Sequence, residues 1–255
     1  MDSYFTPYPD VNAILLRLLT EAQTVLGADF AGLYLYGSLS SGDFDPRRSD
    51  IDFVVVTRDA LSDTTIQQLA ALHERLAASG LKWAAKLEGT YITQAALRHY
   101  NPTDGPFPGV NEGHFTVAHH LSDWIIQRYV LRECGVVLAG PPPDTLIDPV
   151  LPDDIRTAVR GILREWWQPM LKDPALFRSP EYQAYAVLTM CRAMHALDSG
   201  TVVSKPAAAR WAQSTLDRHW HALINFAVQW QPGVEVDHFE KMLEFVRYAL
   251  NVALA

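Results

Sequence analysis

Residues 33–57 read LYLYGSLSSGDFDPRRSDIDFVVVT, two apolar runs around a polar loop. The loop opens with Gly37-Ser38 and closes with Asp50-Ile51-Asp52. Short runs rich in Val, Tyr, Phe and Leu, bounded by Gly, Pro, Asp and Ser, read as strands. Residues two apart in a strand share a face, so Asp50 and Asp52 reach one point while Ile51 faces the core. Charge placed at the edge of so apolar a run is costly unless it is paired or used. Few folds accommodate that, and the feature therefore constrains the chain more than any other.

The flanking pattern supplies the fold class. Ile14, Leu15, Leu18, Leu19 and Val25 give 11–26 helical spacing, and Leu69, Leu72 and Leu76 do the same for 63–78. Residues 31–36, 51–57 and 83–93 read as strands. Helix, strand, turn, strand, helix, strand is an α/β order. The spacing turns helical again over 116–134. GPPPDTLIDPVLPDD, at 140–154, has the composition of a linker and divides the chain into domains 1–150 and 151–255. Beyond it every signal is helical. Asp153 or Asp154 caps a helix to about residue 171. Ser179-Pro180-Glu181 opens a long run that Asp198-Ser199-Gly200 closes. Ser204-Lys205-Pro206 starts a short helix, and Val236-Asp237 starts a last one through Leu254.

Composition excludes several classes. With 255 residues, 49% of them hydrophobic, the chain can build a real core and is not disordered. A formal charge of -8 argues against non-specific nucleic-acid binding and suits a cationic partner. Two cysteines, Cys134 and Cys191, are too few for a disulfide framework. No apolar stretch approaches the ~18 residues of a membrane span. Met1-Asp2-Ser3-Tyr4 lacks the basic and apolar regions of a signal peptide, so a cytoplasmic, monomeric protein is expected.

Two hard oxygen ligands converging from a rigid strand are what Mg²⁺ takes, with water and substrate phosphates completing the set. Gly37 permits a tight turn. Ser38 can then offer a hydroxyl and an N–H to a phosphate at a helix N-terminus. A third carboxylate is expected on the neighbouring strand, and Glu88, inside WAAKLEGTYIT, is the candidate. It can ligate metal or take a proton from an attacking hydroxyl. Metal ions held by such carboxylates clamp the entering and leaving oxygens of an in-line phosphoryl displacement.

Gly-Ser, a short loop and Ser-Asp-Ile-Asp resemble the signature of the polymerase-β-like nucleotidyltransferase superfamily. VVLAGPPPDTLIDPV and VLTMCRAMHALDSGTVVSKPAAARWA are similar to the second half of aminoglycoside adenylyltransferases of the streptomycin/spectinomycin type. This resemblance implies an α/β (α+β) nucleotidyltransferase domain with a small mixed sheet, followed by an all-α helical bundle. It implies ATP and Mg²⁺ as cofactors and AMP transfer to a small cationic antibiotic. Asp50, Asp52 and Glu88 match the family's catalytic and metal acids, with Glu88 as base. Gly37, Ser38 and Ser49 fall on its phosphate side, and Asp123 where it has a nucleotide-contacting acid. Arg192 and Lys205 match its triphosphate cations, and Tyr248 an aromatic near the nucleotide. Glu88, Glu112, His114, Glu181 and Tyr182 are the acceptor-side candidates. Two departures stand out. NEGHFTVAHH carries no tryptophan where the streptomycin-binding enzymes have one, and Tyr182 holds a position where they have an acid.

The residues themselves support part of this. On the helix from Pro180, Val187, Cys191 and Met194 form a core stripe, and Arg192 shares an adjoining face with Tyr185, Thr189 and His195. Arg forks onto phosphate oxygens while Lys acts as a point charge. Arg47 or Arg48 can brush a phosphate. His114, His119 and His120 lack zinc spacing. Cys191 reads as core, Trp166-Trp167 as packing, and Tyr4, Phe5 and Tyr8 carry no assigned role. The expected function is adenylyl transfer to a hydroxyl of an aminoglycoside or aminocyclitol. Its rivals are the same transfer to another small molecule or a protein, and a nucleotide-binding regulator without turnover. Intact Asp50, Asp52 and Glu88 argue against the regulator.

Overall fold

The computed structural model describes residues 5–254, so Tyr4 of the N-terminal aromatic trio lies outside the described residues. Two compact units emerge. One comprises residues 1–45, 49–120 and 127–149, the other 46–48, 121–126 and 150–255.

The first unit is a six-stranded sheet in the order β5-β4-β3-β2-β1-β6. Its strands are β1 (Phe30–Leu35), β2 (Ile51–Thr57), β3 (Leu87–Thr93), β4 (Phe107–Asn111), β5 (His114–Ala118) and β6 (Val136–Ala139). Only β2 and β3 run parallel. A parallel pair needs a crossover, and here it passes through a helix of residues Asp63–Ala77. The helices before residue 150, in chain order, are α1 (Pro9–Leu26), α2 (Gly37–Ser41), α3 (Asp63–Ala77), α4 (Gln94–Arg98), α5 (Asp123–Cys134), whose first turn belongs to the second unit, and α6 (Pro143–Leu146). Ile14, Leu15 and Leu18 of α1 and Leu69, Leu72 and Leu76 of α3 pack on one sheet face. They meet Leu33, Leu35, Phe53, Val55, Leu87 and Tyr91 there.

Several expectations change. The third strand begins at Leu87, because Trp83 is buried ahead of a 3₁₀ turn at Ala84–Lys86. Residues 116–134 are not one helix: Thr116 to Ala118 belong to β5, and α5 starts only at Asp123. The error has a physical source. Val117, Leu121, Trp124 and Ile125 fall at helical spacing, yet Val117 and Leu121 are exposed and the backbone at Val117 is committed to β4. Strand β4, FPGVN, has Pro and Gly inside a five-residue run, and the apolar β6, VVLA, is only four residues long. The proline-rich segment is also more than a linker. It forms α6, buries Leu146 and Ile147, and receives hydrogen bonds from Arg132 at the carbonyls of Asp144 and Ile147.

The second unit is helical: α7 (Pro152–Ile162), α8 (Gln168–Met170), α9 (Pro180–Ser199), α10 (Lys205–Thr215), α11 (His221–Gln229) and α12 (Phe239–Leu254). Helix α9 is central, packing against α7, α10, α11 and α12. Its ends follow the sequence signals. Ser179 Oγ accepts from the Tyr182 N–H at 3.2 Å, and Gly200 closes the helix at φ 69°. Ser204 caps α10 in the same way. Neither Asp153 nor Asp154 is the residue before α7. Leu151 is, and the Asp154 carboxylate reaches back to its N–H at 2.9 Å. The helical run then continues as expected to about residue 171, passing through a π-helical turn at Leu163–Trp167 into α8, which ends at Met170. Trp167 is buried as expected, while Trp166 is exposed. The last helix starts at Phe239, and Asp237 serves it from outside, accepting from the Phe239 N–H and from Gln183 Nε2. These two bonds, Gln183's first, hold the Asp237 carboxyl below its ordinary range. Helix α11 had no counterpart in the sequence reading.

Candidate active site

The edge of β2 and β3 is where the sequence motif becomes geometry. In the parallel register Asp52 stands opposite Glu88. Phe53, Val55, Leu87 and Tyr91 point into the core on the other face, so Asp52 and Glu88 share the face turned away from it. Both are half-buried. One pleat earlier, just ahead of the two strands, Asp50 Oδ1 meets Lys86 Nζ at 3.0 Å. Two acids therefore stand on alternate positions of one strand approach, and a third stands across from the second.

Gly37 explains how the loop after β1 approaches them. The Tyr36 N–H donates to the Asp52 carbonyl at 3.2 Å, which brings the chain alongside β2. Gly37 then turns at φ 64°, the left-handed region, and a Cβ there would overlap the Asp52 carboxylate. Only glycine satisfies both demands. Ser38 follows in α2, a helix of five residues whose first residue is Gly37. Ser49 closes the loop on itself: its Oγ accepts from the Asp45 N–H and its N–H donates to the Asp45 carbonyl, both at 2.9 Å. The side chain thus presets the entry into Asp50-Ile51-Asp52.

The same face continues outward through β4 and β5. Asn111 Nδ2 donates to Glu88 Oε1 at 3.4 Å, and Asn111 pairs with His114 across the hairpin. His114 is thereby brought onto Glu88's row, whereas Glu112 sits at the exposed turn with φ 49°. Behind the row, Thr90 Oγ1 lies 3.2 Å from His120 Nε2. Burial first, then Arg128 and His119, push His120 down to about 3, so it stays neutral at ordinary pH.

The second unit gathers its own set. Tyr185, Thr189, Arg192 and His195 line the less buried face of α9, beside the buried Val187, Cys191 and Met194. Burial pushes the Cys191 thiol up to about 12, which fits an inert core residue. Lys205, at the start of α10, places Nζ 4.9 Å from the Tyr185 ring centroid. Packing of α10 on α9 therefore puts both cations on one face. Tyr182 is half-buried against Phe177 and Tyr185, and burial raises its hydroxyl above the ordinary range. Glu181 is exposed in the first turn of α9. Tyr248 packs on Trp220 from α12, with ring centroids 5.5 Å apart. Asp123 is the first residue of α5.

Among the described residues no group of three or more His, Cys, Asp and Glu side chains is drawn close enough to hold a metal ion. Asp50, Asp52 and Glu88 nevertheless suit Mg²⁺ by donor chemistry: all are hard oxygen ligands, and the missing Cβ of Gly37 makes room for the Asp52 carboxylate itself. Two residues of this edge escaped the sequence reading, Lys86 and Asn111. Lys86 stands two before Glu88, as Asp50 stands two before Asp52, so parallel pairing would have revealed it. Asn111 precedes Glu112-Gly113, a two-residue hairpin turn, and only that turn discloses its partner.

Known proteins bear the same signature. Residues 18–94 match the model of the nucleotidyltransferase domain, and residues 145–255 that of the aminoglycoside adenylyltransferase C-terminal domain. An aminoglycoside (3'') (9) adenylyltransferase of Escherichia coli is 26% identical over 92% of this chain and 95% of its own length. A spectinomycin 9-adenylyltransferase of Staphylococcus aureus is 24% identical over 92% of each. The crystal structure of a spectinomycin adenyltransferase from Enterococcus faecialis, with ATP and spectinomycin, superposes with a TM-score of 0.73. It shares 19% identity, over 95% of this chain and 99% of that one. The fold is shared from end to end.

Proposed function

We propose, from the premise that this chain is a nucleotidyltransferase of the aminoglycoside adenylyltransferase kind, that it moves AMP from ATP to a hydroxyl of an aminocyclitol or aminoglycoside antibiotic. Pyrophosphate leaves, and the modified drug loses its activity. The observation that carries the reading is the pairing of Asp52 with Glu88 across β2 and β3, with Gly37 held against Asp52.

Each residue then has a task. Glu88 takes the proton from the acceptor hydroxyl as its oxygen forms a bond to the α-phosphorus. The bond from that phosphorus to the bridging oxygen breaks, and the electron pair leaves with pyrophosphate. Asp50 and Asp52 would hold Mg²⁺, and Lys86 must then release Asp50. When bound, the ion neutralises charge on the triphosphate oxygens. Arg192 forks onto phosphate and Lys205 adds a point charge. Gly37 and Ser38 supply backbone N–H groups to phosphate, and Ser49 keeps the loop shaped for it. Asp123 and Tyr248 serve the nucleoside end. Glu112, His114 and Glu181 supply negative or polar contacts to the ammonium-rich acceptor, with Glu88 among them.

Tyr182 sharpens the choice of acceptor. Its half-buried, neutral hydroxyl offers no charge to a guanidinium, and NEGHFTVAHH offers no indole. Spectinomycin is therefore preferred over streptomycin. A soluble protein acting in the cytoplasm as a monomer completes the reading; no helix among the described residues is long and apolar enough to cross a membrane. Pyrophosphate release with Mg²⁺·ATP and each of spectinomycin, streptomycin and kanamycin tests it. Release with spectinomycin, absent in Glu88→Gln, is expected. No release with any of the three drugs would turn the reading toward another acceptor.

A further inference from the structure

We propose that Asn111 is a positioning residue for Glu88: its side-chain amide fixes which carboxylate oxygen faces the acceptor hydroxyl. The inference rests on Glu88 being the base. Glu88 has a like charge on one side, since Asp52 stands opposite it in the parallel register. Strands lie ~4.8 Å apart, so the two carboxylates repel unless something holds one of them away. On Glu88's other side Asn111 Nδ2 donates to Oε1 at 3.4 Å. The β3–β4 register makes this contact structural, not accidental. Gly89 pairs with Val110 and Thr90 with Gly109, which sets Glu88 beside Asn111.

The hairpin turn after Asn111 fixes the β4–β5 register and so the end of β4 at which Asn111 stands. Asn111 pairs with His114, and the intervening Glu112 and Gly113 have φ 49° and 78°. Positive φ at both central residues is the tight hairpin turn whose twist matches that of the strands. A slip of one residue would turn Asn111 to the core face, where Val110 and Phe115 now lie.

The choice of an amide matters chemically. A glutamate has three side-chain torsions to freeze before its oxygen points at a substrate, and loss of that alignment is costly in rate. Lysine or arginine beside Glu88 would hold it more strongly but would draw off the negative charge that makes it a base. The neutral N–H donor of Asn111 orients Oε1 without adding positive charge of its own. The bond is long for N–H···O, and bonds of this kind tighten when substrate assembles around them.

Asn111→Ala and the isosteric Asn111→Asp test the idea, with kcat, KM for ATP, melting temperature and the effect in a Glu88→Gln background as readouts. Alanine should lower kcat about tenfold with KM for ATP and melting temperature unchanged, because alignment and not binding is lost. Aspartate keeps the shape but reverses the interaction, and should lower kcat further. In Glu88→Gln neither change should cost more, since the base they align is gone. Wild-type kcat in both single variants would overturn the role of Asn111 while leaving Glu88 as base. The same fractional loss in the Glu88→Gln background would also overturn it. Full activity of Glu88→Gln alone would instead remove the base assignment itself, and this inference with it.

Discussion

The two faces of one pair of strands do different work. On the inner face of β2 and β3, Phe53 and Leu87 are 0% exposed and Tyr91 1%. On the outer face, at the same rungs, Asp52 and Glu88 remain half-buried, and the neighbouring Lys86 and Asp50 side chains are 46% and 40% exposed. Because side chains alternate, Asp52 and Phe53 are consecutive residues with opposite duties. The inner face supplies stability through removal of apolar surface from water. At the Asp52–Glu88 rung the outer face holds like charges near one another, which costs stability, while farther along it Val54, Val56 and Ile92 are buried. Changes at Asp52 or Glu88 should therefore move activity and leave melting alone, and changes at Phe53, Leu87 or Tyr91 should do the reverse.

The sharpest break of that contrast lies at Asp52. Asp52→Asn keeps size and shape and removes charge. We expect turnover to fall about a thousandfold, roughly 4 kcal/mol of barrier, with the melting temperature unchanged or raised. Pyrophosphate release and a thermal scan measure both. Substantial residual activity would show that the outer face does not carry the chemistry.

One residue on, Phe53→Ala should do the opposite. A fully buried phenylalanine truncated to alanine costs about 3 to 4 kcal/mol through lost burial and the cavity left behind. Denaturant unfolding of the first unit should shift accordingly, and protein that remains folded should keep its kcat within about threefold. A large loss of kcat in the folded fraction would mean that the inner face also shapes the site.

How much of this was legible follows the range of the interactions. Gly37, Asp50, Asp52 and the strand they open lie within one loop, so local pattern sufficed. So did Ser179 and Gly200 at the ends of α9, because caps act over three or four residues. Asn111 was missed because its partner Glu88 lies 23 residues away. Lys86 on Asp50 depends on which strand pairs with which, and that is a property of the sheet. The helix expected over 116–134 failed for the same reason: Val117 obeyed a helical period that pairing with β4 overrode. Arg192 and Lys205 are candidates by resemblance, and their place on one face depends on α10 packing against α9.

Acid should weaken the inner face before it disables the fold generally. His73 is buried beside Phe53 and Phe115, and desolvation pushes it down to about 4 from 6.5, with Glu21 opposing. A depressed folded value means the unfolded chain binds the proton first. Stability is therefore complete above about pH 6.5 and is lost as pH falls toward 4, by on the order of 3 kcal/mol in all. Melting temperature measured from pH 7 to 4 should fall, and His73→Gln should flatten that part of the curve. An equally steep fall in the variant would assign the acid sensitivity to other groups.

The smallest expected effect separates polar from apolar stabilisation within the inner face. Tyr91 OH and His73 Nε2 are 2.9 Å apart, and burial raises the tyrosine hydroxyl well beyond its ordinary range. Tyr91→Phe retains the ring that meets Phe53 edge-on at 6.4 Å and removes only the hydroxyl. The hydrogen bond itself contributes about 1 kcal/mol, but its loss strands His73 Nε2 in an apolar core, which adds to the cost. We expect a destabilisation of about 1 to 2 kcal/mol, smaller than for Phe53→Ala, with unchanged kcat and KM. Combining Tyr91→Phe with His73→Phe should recover part of the loss, since both partners then become apolar and nothing buried is left unpaired. If the double variant is no more stable than Tyr91→Phe alone, the pair matters for packing shape and not for hydrogen bonding. A fall in kcat in Tyr91→Phe would instead show that the row holding Tyr91 communicates with Glu88 three residues away, and the two faces would not be separable.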